Sequence, residues 1–556
     1  MSNFLKRHFW QLLLVFVITL PTLRFLFLPG FFPMHDDMQV MRVYQMSKCI
    51  TDGQFPCRWV PDMGYGFGYP QFTFYGPLPY YFMTLLSFAG LSLMTAVKVG
   101  FAASLLFGNL TLYFLAKQLF KSDRASLVAA TLYAYLPYRA SDLFSRGAMG
   151  ESWAFVFIPL VLLGAFRVLT NPKPSSAILF GLSSALLITT HNVSTLIYFP
   201  FIGLFLGLYL FVFSKSQSKP LIFKTLLQAI ILGGLLSAFF LLPVMLERSQ
   251  VHIESMLGGY FDYRRHFLAF SQLFNTTSWA YGSSDLGPFD DLSFFYGPLL
   301  IAFAILGLIR SLRNFKRNPH LALSVSIFFA FGLISTFMTH SRSSFIYEQI
   351  TTLHFLQFPW RFLVTANFFF CVAAGSLFIG DKPKYVVTFL FIILPIILSQ
   401  FAFFKPIRLT TETSAERLSG AQFDRMMTIS IFDYLPKATQ FPPNHSASIQ
   451  PSFSDRHYRL SNQKSGTNWY RFELSSESEQ QVSVPIFNYP GWQVHIDKKR
   501  TNHFSSDNDG QITFIIPSGH HQVDLKLQDT PPRLIGNILT VFGLIYLYHL
   551  SRKSHA

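Results

Sequence analysis

Polar and apolar positions along the chain alternate on the scale of whole helices rather than single turns. Runs of about 17 to 25 apolar residues mark candidate helical spans, because backbone polar groups in lipid must be satisfied within the segment. Twelve runs stand out, at approximately 10–28, 96–119, 125–139, 152–170, 175–190, 192–213, 222–246, 293–310, 319–339, 361–380, 384–403 and 534–551. The first follows Lys6, Arg7 and His8 as a signal peptide would, but no small-x-small cleavage site comes after it, so it reads as an uncleaved span. Pro77 to Met94 is apolar enough to be a thirteenth crossing, yet counting it reverses the side of everything downstream. With twelve spans, the basic segments Lys117 to Arg124, Lys215 to Lys224, Arg310 to Arg317, Lys382 to Lys384 and Arg552 to Lys553 all fall inside with the N-terminus. Pro77 to Met94 is therefore expected to be an interfacial or re-entrant helix closing a long first outer loop, about 29–95.

From about Lys405 to Arg533 the chain turns polar and offers no span. Alternating apolar runs at Gln481 to Phe487, Trp492 to Ile496, Ile512 to Ile516 and Val523 to Leu527, split by Tyr489-Pro490-Gly491 and Pro517-Ser518-Gly519, predict a small antiparallel sheet or sandwich. The expected architecture is an α-helical polytopic membrane protein. It comprises a transmembrane module over 1–403, an outer β-rich domain over 404–533, and a last span with a short cytoplasmic tail over 534–556.

Composition agrees with this: 51% of residues are hydrophobic and 13% charged. The net charge of +16 is accounted for by basic residues bordering spans, so no nucleic-acid partner is expected. Cys49 and Cys57 share the first outer loop and could pair in an oxidising compartment, a question their spacing leaves open. On the twelve-span topology Asp36, Asp37, Asp52, Asp62, Asp142, Glu151, Glu247, Glu254, Asp262 and Glu348 face outward, and only Asp123 and Asp381 face inward. Chemistry is thus expected on the outer face. The middles of the spans carry almost no ionisable side chains, which counts against an ion-coupled transporter.

Five places carry residues that bind or react. His35, Asp36 and Asp37 follow the first span. A carboxylate there suits a general base, or a divalent cation site beside a phosphate-bearing ligand, or simply a solvated turn. Arg146, Gly147, Gly150 and Glu151 sit between spans three and four. They fit phosphate recognition with a second acid, or equally a helix cap with an ion pair. His191 and Asn192 form a very short turn, and Arg361 opens span ten from outside, where anion binding competes with snorkelling. Arg58, Trp59, Tyr69 and Tyr75 lie in an aromatic first loop in which Gly64, Gly66 and Gly68 alternate with Tyr65, Phe67 and Tyr69. That loop is read as an irregular binding wall for sugar faces or prenyl chains. No zinc spacing, nucleophile elbow or dinucleotide fingerprint is present.

HD at 35–36, DGQFPCRW at 52–59, GYGFGYPQFTFYGPLPYY at 64–81, SRGAMGE at 145–151, THN at 190–192 and QFPWRF at 357–362 resemble a family of bacterial polytopic membrane proteins called "6-pyruvoyl-tetrahydropterin synthase-related". The soluble pterin enzyme needs histidine zinc ligands, which nothing here supplies. YPGW at 489–492 resembles the outer C-terminal domain of YfhO-like proteins. More broadly, the plan is similar to the GT-C superfamily of glycosyltransferases. That resemblance implies a first-loop acid, here matched by Asp36, with Asp37 beside it. It also implies a second-loop acidic cluster, here matched by Arg146 and Glu151, facing a lipid-phosphate-linked sugar. The chain departs from the acid-x-acid pattern of such clusters, so no metal ligand is assigned and no cofactor is certain, although a divalent cation is left open. The resemblance implies sugar transfer from a polyprenyl-phosphate donor to an unknown glycan, lipid or protein acceptor at the outer face of a bacterial cytoplasmic membrane. Inversion at the anomeric carbon is expected. Asp36 or Asp37 would act as base with Glu151 as a second acid, and His35, Arg58, Trp59, Tyr69, Tyr75, Arg146, His191, Asn192 and Arg361 would bind substrate. The alternative is a non-enzymatic membrane protein that binds or moves a lipid-linked glycan with the same residues.

Overall fold

The computed structural model describes residues 2–213, 219–275, 282–380, 385–429, 433–506 and 509–555. Among the described residues each of the twelve apolar runs is mostly helical. Among the described residues nine helices are long and apolar enough to cross a membrane by length and composition. The other three, Asp123–Ala134, Pro174–Thr190 and Pro298–Arg313, have 12, 17 and 16 residues. At the rise of an α-helix the shortest reaches only about 18 Å. Local chemistry sets these limits. Ser122 caps the first of them by accepting from the Ala125 N–H. Pro137, with no N–H to donate, then starts a separate piece that passes into a π turn at Asp142–Arg146. Gly297, at φ +91°, and Pro298 delay the start of the third.

The apolar stretch after Pro77 forms one helix, Leu78–Phe88, of 11 residues. Its length of about 17 Å falls well short of a hydrocarbon core of about 30 Å. The central helical segment is Pro359–Phe378, with 89% of its apolar window buried, against 17% for the peripheral Pro531–Ser554. Met149, Thr190, Asn192, Glu247 and Pro359 all mark helix ends at one end of the bundle. Lys117, Arg167, Lys173, Lys219, Arg313 and Arg552 lie at the opposite ends. Lys382 to Lys384, and residues 215–218 of the segment Lys215 to Lys224, lie outside the described residues.

The β-domain covers the first of these two ends. Its strands are β1 (Ser452–Phe453), β2 (Tyr458–Ser465), β3 (Trp469–Ser476), β4 (Gln480–Phe487), β5 (Trp492–Ile496), β6 (Lys499–Thr501), β7 (Phe504–Ser505), β8 (Gln511–Ile516) and β9 (Gly519–Leu527). They form two antiparallel sheets, ordered β1-β4-β8-β7 and β2-β3-β9-β5-β6. The four alternating runs of the sequence are β4, β5, β8 and β9. The edge strand β2 lacks such a run because it is largely exposed on both faces.

The strands begin only at Ser452. The stretch before them carries the short helices Ser414–Arg417 and Gly420–Thr428 and interleaves with the first loop. Phe31 bridges Thr410, the Tyr65 N–H donates to the Met427 carbonyl, and the Ala447 N–H donates to the Tyr65 carbonyl. The first loop contains helix Gln39–Thr51 and a disulfide between Cys49 and Cys57. The Asp52 carboxylate accepts from the Thr467 N–H at 2.6 Å and from Trp469 Nε1 at 3.2 Å, fastening the loop to the β-domain.

Candidate functional site

Helix ends meeting at one level leave N–H and C=O groups unspent and concentrate polar side chains there. Between them lies a cavity of about 590 Å³ lined by His35, Asp36, Arg42, Tyr75, Arg146, Glu151, His191, Asn192, Arg361 and, from the segment leading into the β-domain, Asp433 and Tyr434. Eight of the residues singled out in the sequence thus share one cavity. They come from five separate stretches of chain.

The first and second loops are joined by their backbones. The His35 and Asp36 N–H groups donate to the Ser145 and Arg146 carbonyls, both at 2.9 Å. Gly147 permits this approach: its φ is +65°, and a Cβ there would stand 2.2 Å from Met34 Sδ. Gly76 does the same on the other side, where a Cβ would lie 2.1 Å from the Thr190 carbonyl oxygen.

Asp36 is held through one oxygen. Its Oδ2 accepts from Arg42 Nη1 at 2.7 Å, Gln39 Nε2 at 2.9 Å and the Tyr75 hydroxyl at 3.3 Å. Oδ1 carries no bond among the described residues, so the carboxylate is oriented while one oxygen stays open. Arg42, buried on helix Gln39–Thr51 with its guanidinium 4.2 Å over the Tyr75 ring, was not singled out from the sequence. Its one signal was an arginine between Met41 and Val43 two turns after an acidic pair.

The second loop supplies a buried network. Arg146 Nη1 donates to Asp142 Oδ1 at 2.5 Å, and Nη2 lies 2.9 Å from Glu151 Oε2. Tyr138 donates to Glu151 Oε1 at 2.5 Å, and Arg361 Nε approaches Glu151 Oε2 at 3.8 Å. Trp360 lies beneath the Arg146 guanidinium at 4.5 Å. The second acid absent from the 146–151 stretch is Asp142, one helical turn earlier. Burial and the charge of Glu151 push the Asp142 carboxyl well above its ordinary range. Burial works against the Arg146 charge, but Glu151, Tyr138 and Asp142 outweigh it and hold the guanidinium protonated.

Burial pushes the His191 imidazole down to about 3, so it is neutral near pH 7 rather than titrating there. The Ser194 N–H donates to His191 Nδ1 at 3.2 Å, which makes Nδ1 the acceptor and leaves the ring proton on Nε2. Asn192 donates to the Phe74 carbonyl at 3.0 Å, tying this turn to the first loop.

Four candidates are placed away from the cavity. Asp37 pairs with Arg417, and burial raises its carboxyl although Arg417 opposes the shift. Arg58 reaches the Asn537 side chain at 2.8 Å and the Phe239 carbonyl at 3.1 Å, clamping the last helix. Trp59 packs on Tyr489 and Trp492 at 5.6 and 5.8 Å, and Phe67 stacks on Phe487 at 5.0 Å. The Tyr69 hydroxyl accepts from the Tyr434 N–H at 2.6 Å. Trp59 and Phe67 of the first loop therefore pack against the β-domain and not the cavity, while Tyr69 meets the segment leading into that domain.

Among the described residues no three His, Cys, Asp or Glu side chains come together to hold a metal. Two of the cavity carboxylates face guanidinium groups, Asp36 that of Arg42 and Glu151 that of Arg146.

A family model described as "6-pyruvoyl-tetrahydropterin synthase related domain; membrane protein" matches residues 72–405, more than half of the chain. An uncharacterized protein of Lactococcus lactis subsp. cremoris is 27% identical over 357 residues, covering 61% of this chain and 55% of its own length. Two cryo-EM structures of the arabinofuranosyltransferase AftD from Mycobacteria, the second of a mutant, are similar with TM-scores of 0.45. They are 15% and 14% identical and cover 74% of this chain, but only 27% and 28% of their own chains. The chain thus spans about half the length of the Lactococcus relative and about a quarter of the transferase.

Proposed function

The chain belongs to the 6-pyruvoyl-tetrahydropterin synthase related family of membrane proteins, and from its cavity we propose that it is a GT-C-type glycosyltransferase using a polyprenyl-phosphate sugar. The observation that carries this reading is Asp36, fixed through Oδ2 by three donors with Oδ1 open in a cavity that also presents Arg146 and Arg361. Asp36 Oδ1 takes the proton of an acceptor hydroxyl. The acceptor oxygen bonds to the anomeric carbon from the face opposite the phosphate, and the carbon–oxygen bond to phosphate breaks with its electron pair. Polyprenyl phosphate leaves. Arg361, backed by Arg146, meets the charge that develops on it, in a pocket whose partial exclusion of water strengthens each term. Glu151 holds both guanidinium groups in position, and neutral His191 offers its Nε2–H to the acceptor or sugar. Guanidinium groups take the place of a divalent cation.

The cavity sits at the end away from the basic helix termini, which under the positive-inside rule favours the outer face of a bacterial cytoplasmic membrane. The test is release of polyprenyl phosphate by the protein in lipid from a panel of polyprenyl-phosphate hexoses and pentoses. Asp36→Asn is expected to keep donor affinity and lose about 10²- to 10⁴-fold in turnover. Asp37→Asn is expected to keep turnover, and a chelator to change nothing. Binding without turnover by the native protein across donors and acceptors would identify a lipid-linked glycan binder instead.

A further inference from the structure

The cavity has an apolar arm. Its wall includes Val193 and Leu196, at the start of the Asn192–Phe213 helix, and Val244 and Met245, near the end of the Lys219–Glu247 helix. Met245 and its neighbour Leu246 are each 60% exposed, so this wall runs out onto the surface that a bundle of spans turns to lipid. Arg248 lines the same cavity, follows directly on the end of that helix and is exposed.

Its charge differs in kind from that of the other cavity arginines. Arg42 is matched by Asp36, Arg146 by Asp142 and Glu151, and Arg361 by Glu151 and the Leu356 carbonyl. Arg248 has no ion pair or side-chain hydrogen bond among the described residues. The adjacent acid, Glu247, is occupied elsewhere: it accepts from Arg533 Nε at 2.9 Å and from the Thr530 hydroxyl. An uncompensated guanidinium at the head of an apolar path from the membrane is complementary to a phosphate carried on a hydrocarbon chain.

We propose that Arg248 and the wall formed by Val193, Leu196, Val244 and Met245 seat the phosphate and first isoprene units of a polyprenyl phosphate entering from the membrane. This rests on the transferase reading above and adds where its lipid product and donor are held. Arg248 shares the phosphate with Arg361, taking an oxygen that Arg361 leaves free, and the branched isoprenoid lies along the four apolar side chains. The sugar is thereby directed toward Asp36 and Arg361.

The full-length protein in phosphatidylcholine nanodiscs tests this by binding of polyprenyl monophosphate, of the polyprenol without phosphate, and of phosphatidic acid. The native protein is expected to prefer polyprenyl monophosphate to both others. Arg248→Ala should weaken that binding at least about tenfold while leaving polyprenol binding unchanged, and Arg248→Lys should retain part of it. Met245→Trp, which narrows the mouth, should weaken both polyprenyl species. Arg248→Ala binding within twofold of the native protein overturns the seat, and equal preference for phosphatidic acid assigns it to membrane phospholipid and overturns the polyprenyl assignment. The monophosphate is a product, so the assay needs no turnover. Selective binding by an inactive protein would leave the seat and remove the transferase, whereas Arg248→Ala unchanged in an active enzyme would do the reverse.

Discussion

Gly147 is the point at which a single methyl group should separate the two halves of the site. A Cβ there would lie 2.2 Å from Met34 Sδ, 2.6 Å from its Cγ and 2.8 Å from its Cβ, on a backbone at φ +65°. Ordinary carbon contacts are about 3.5–4.0 Å, so Met34 or the second loop must retreat by more than 1 Å. Met34 is buried, and the two residues after it are hydrogen-bonded to Ser145 and Arg146. The displacement therefore passes to Asp36. The left-handed backbone costs an alanine about 1–2 kcal/mol, and overpacking adds about 1–3 kcal/mol. Gly147→Ala should thus destabilise by about 2–5 kcal/mol in SDS titration of the protein in mixed micelles. A misplacement of this size should also lower turnover by about 10²-fold, with donor binding largely kept. Met34→Ala alone leaves a hole, but in the double variant it removes two of the three clashing atoms. The pair should then be non-additive by at least about 1 kcal/mol in the favourable direction. Additive losses, or native turnover in Gly147→Ala, would refute the account.

Two further outcomes follow from carboxylates outside the cavity. Asp37 has its carboxyl raised in the folded protein by burial, with Arg417 opposing, so the protonated acid folds more readily than the ionised one. That contribution is complete below the unfolded-state pKa and is lost as pH rises through the folded value. Arg417→Ala should raise the folded value further and be more destabilising at pH 7 than at pH 4.5, by about 1–3 kcal/mol in the same titration; an equal loss at both pH values contradicts this. Asp52→Ala removes the acceptor shared by Thr467 and Trp469. It should loosen the β-domain, read as faster proteolysis between it and the bundle, while leaving helix content unchanged.

The sequence by itself determined what depends on local composition and period. The twelve apolar runs are mostly helical among the described residues, because lipid tolerates little else, and β4, β5, β8 and β9 follow their alternation and turns. The short helix after Pro77 was legible from charge parity alone. Asp36, Arg146, Glu151, His191 and Arg361 were legible as polar residues at the ends of apolar runs, where packing gives no reason to place them. Tertiary structure decided which of them meet and what each can do. Arg42 and Asp142 join the site only because a helix and a π turn fold back onto it, and Asp433 and Tyr434 arrive from more than 280 residues beyond Glu151. Trp59 and Phe67 leave it because the β-domain needs an apolar seat on the first loop. His191 offers a titratable ring in sequence but a neutral one in place, since desolvation is a property of the surroundings and not of the residue. Short-range pattern fixes where a helix starts and ends. Contact, burial and charge balance are sums over distant neighbours, which only the assembled bundle supplies.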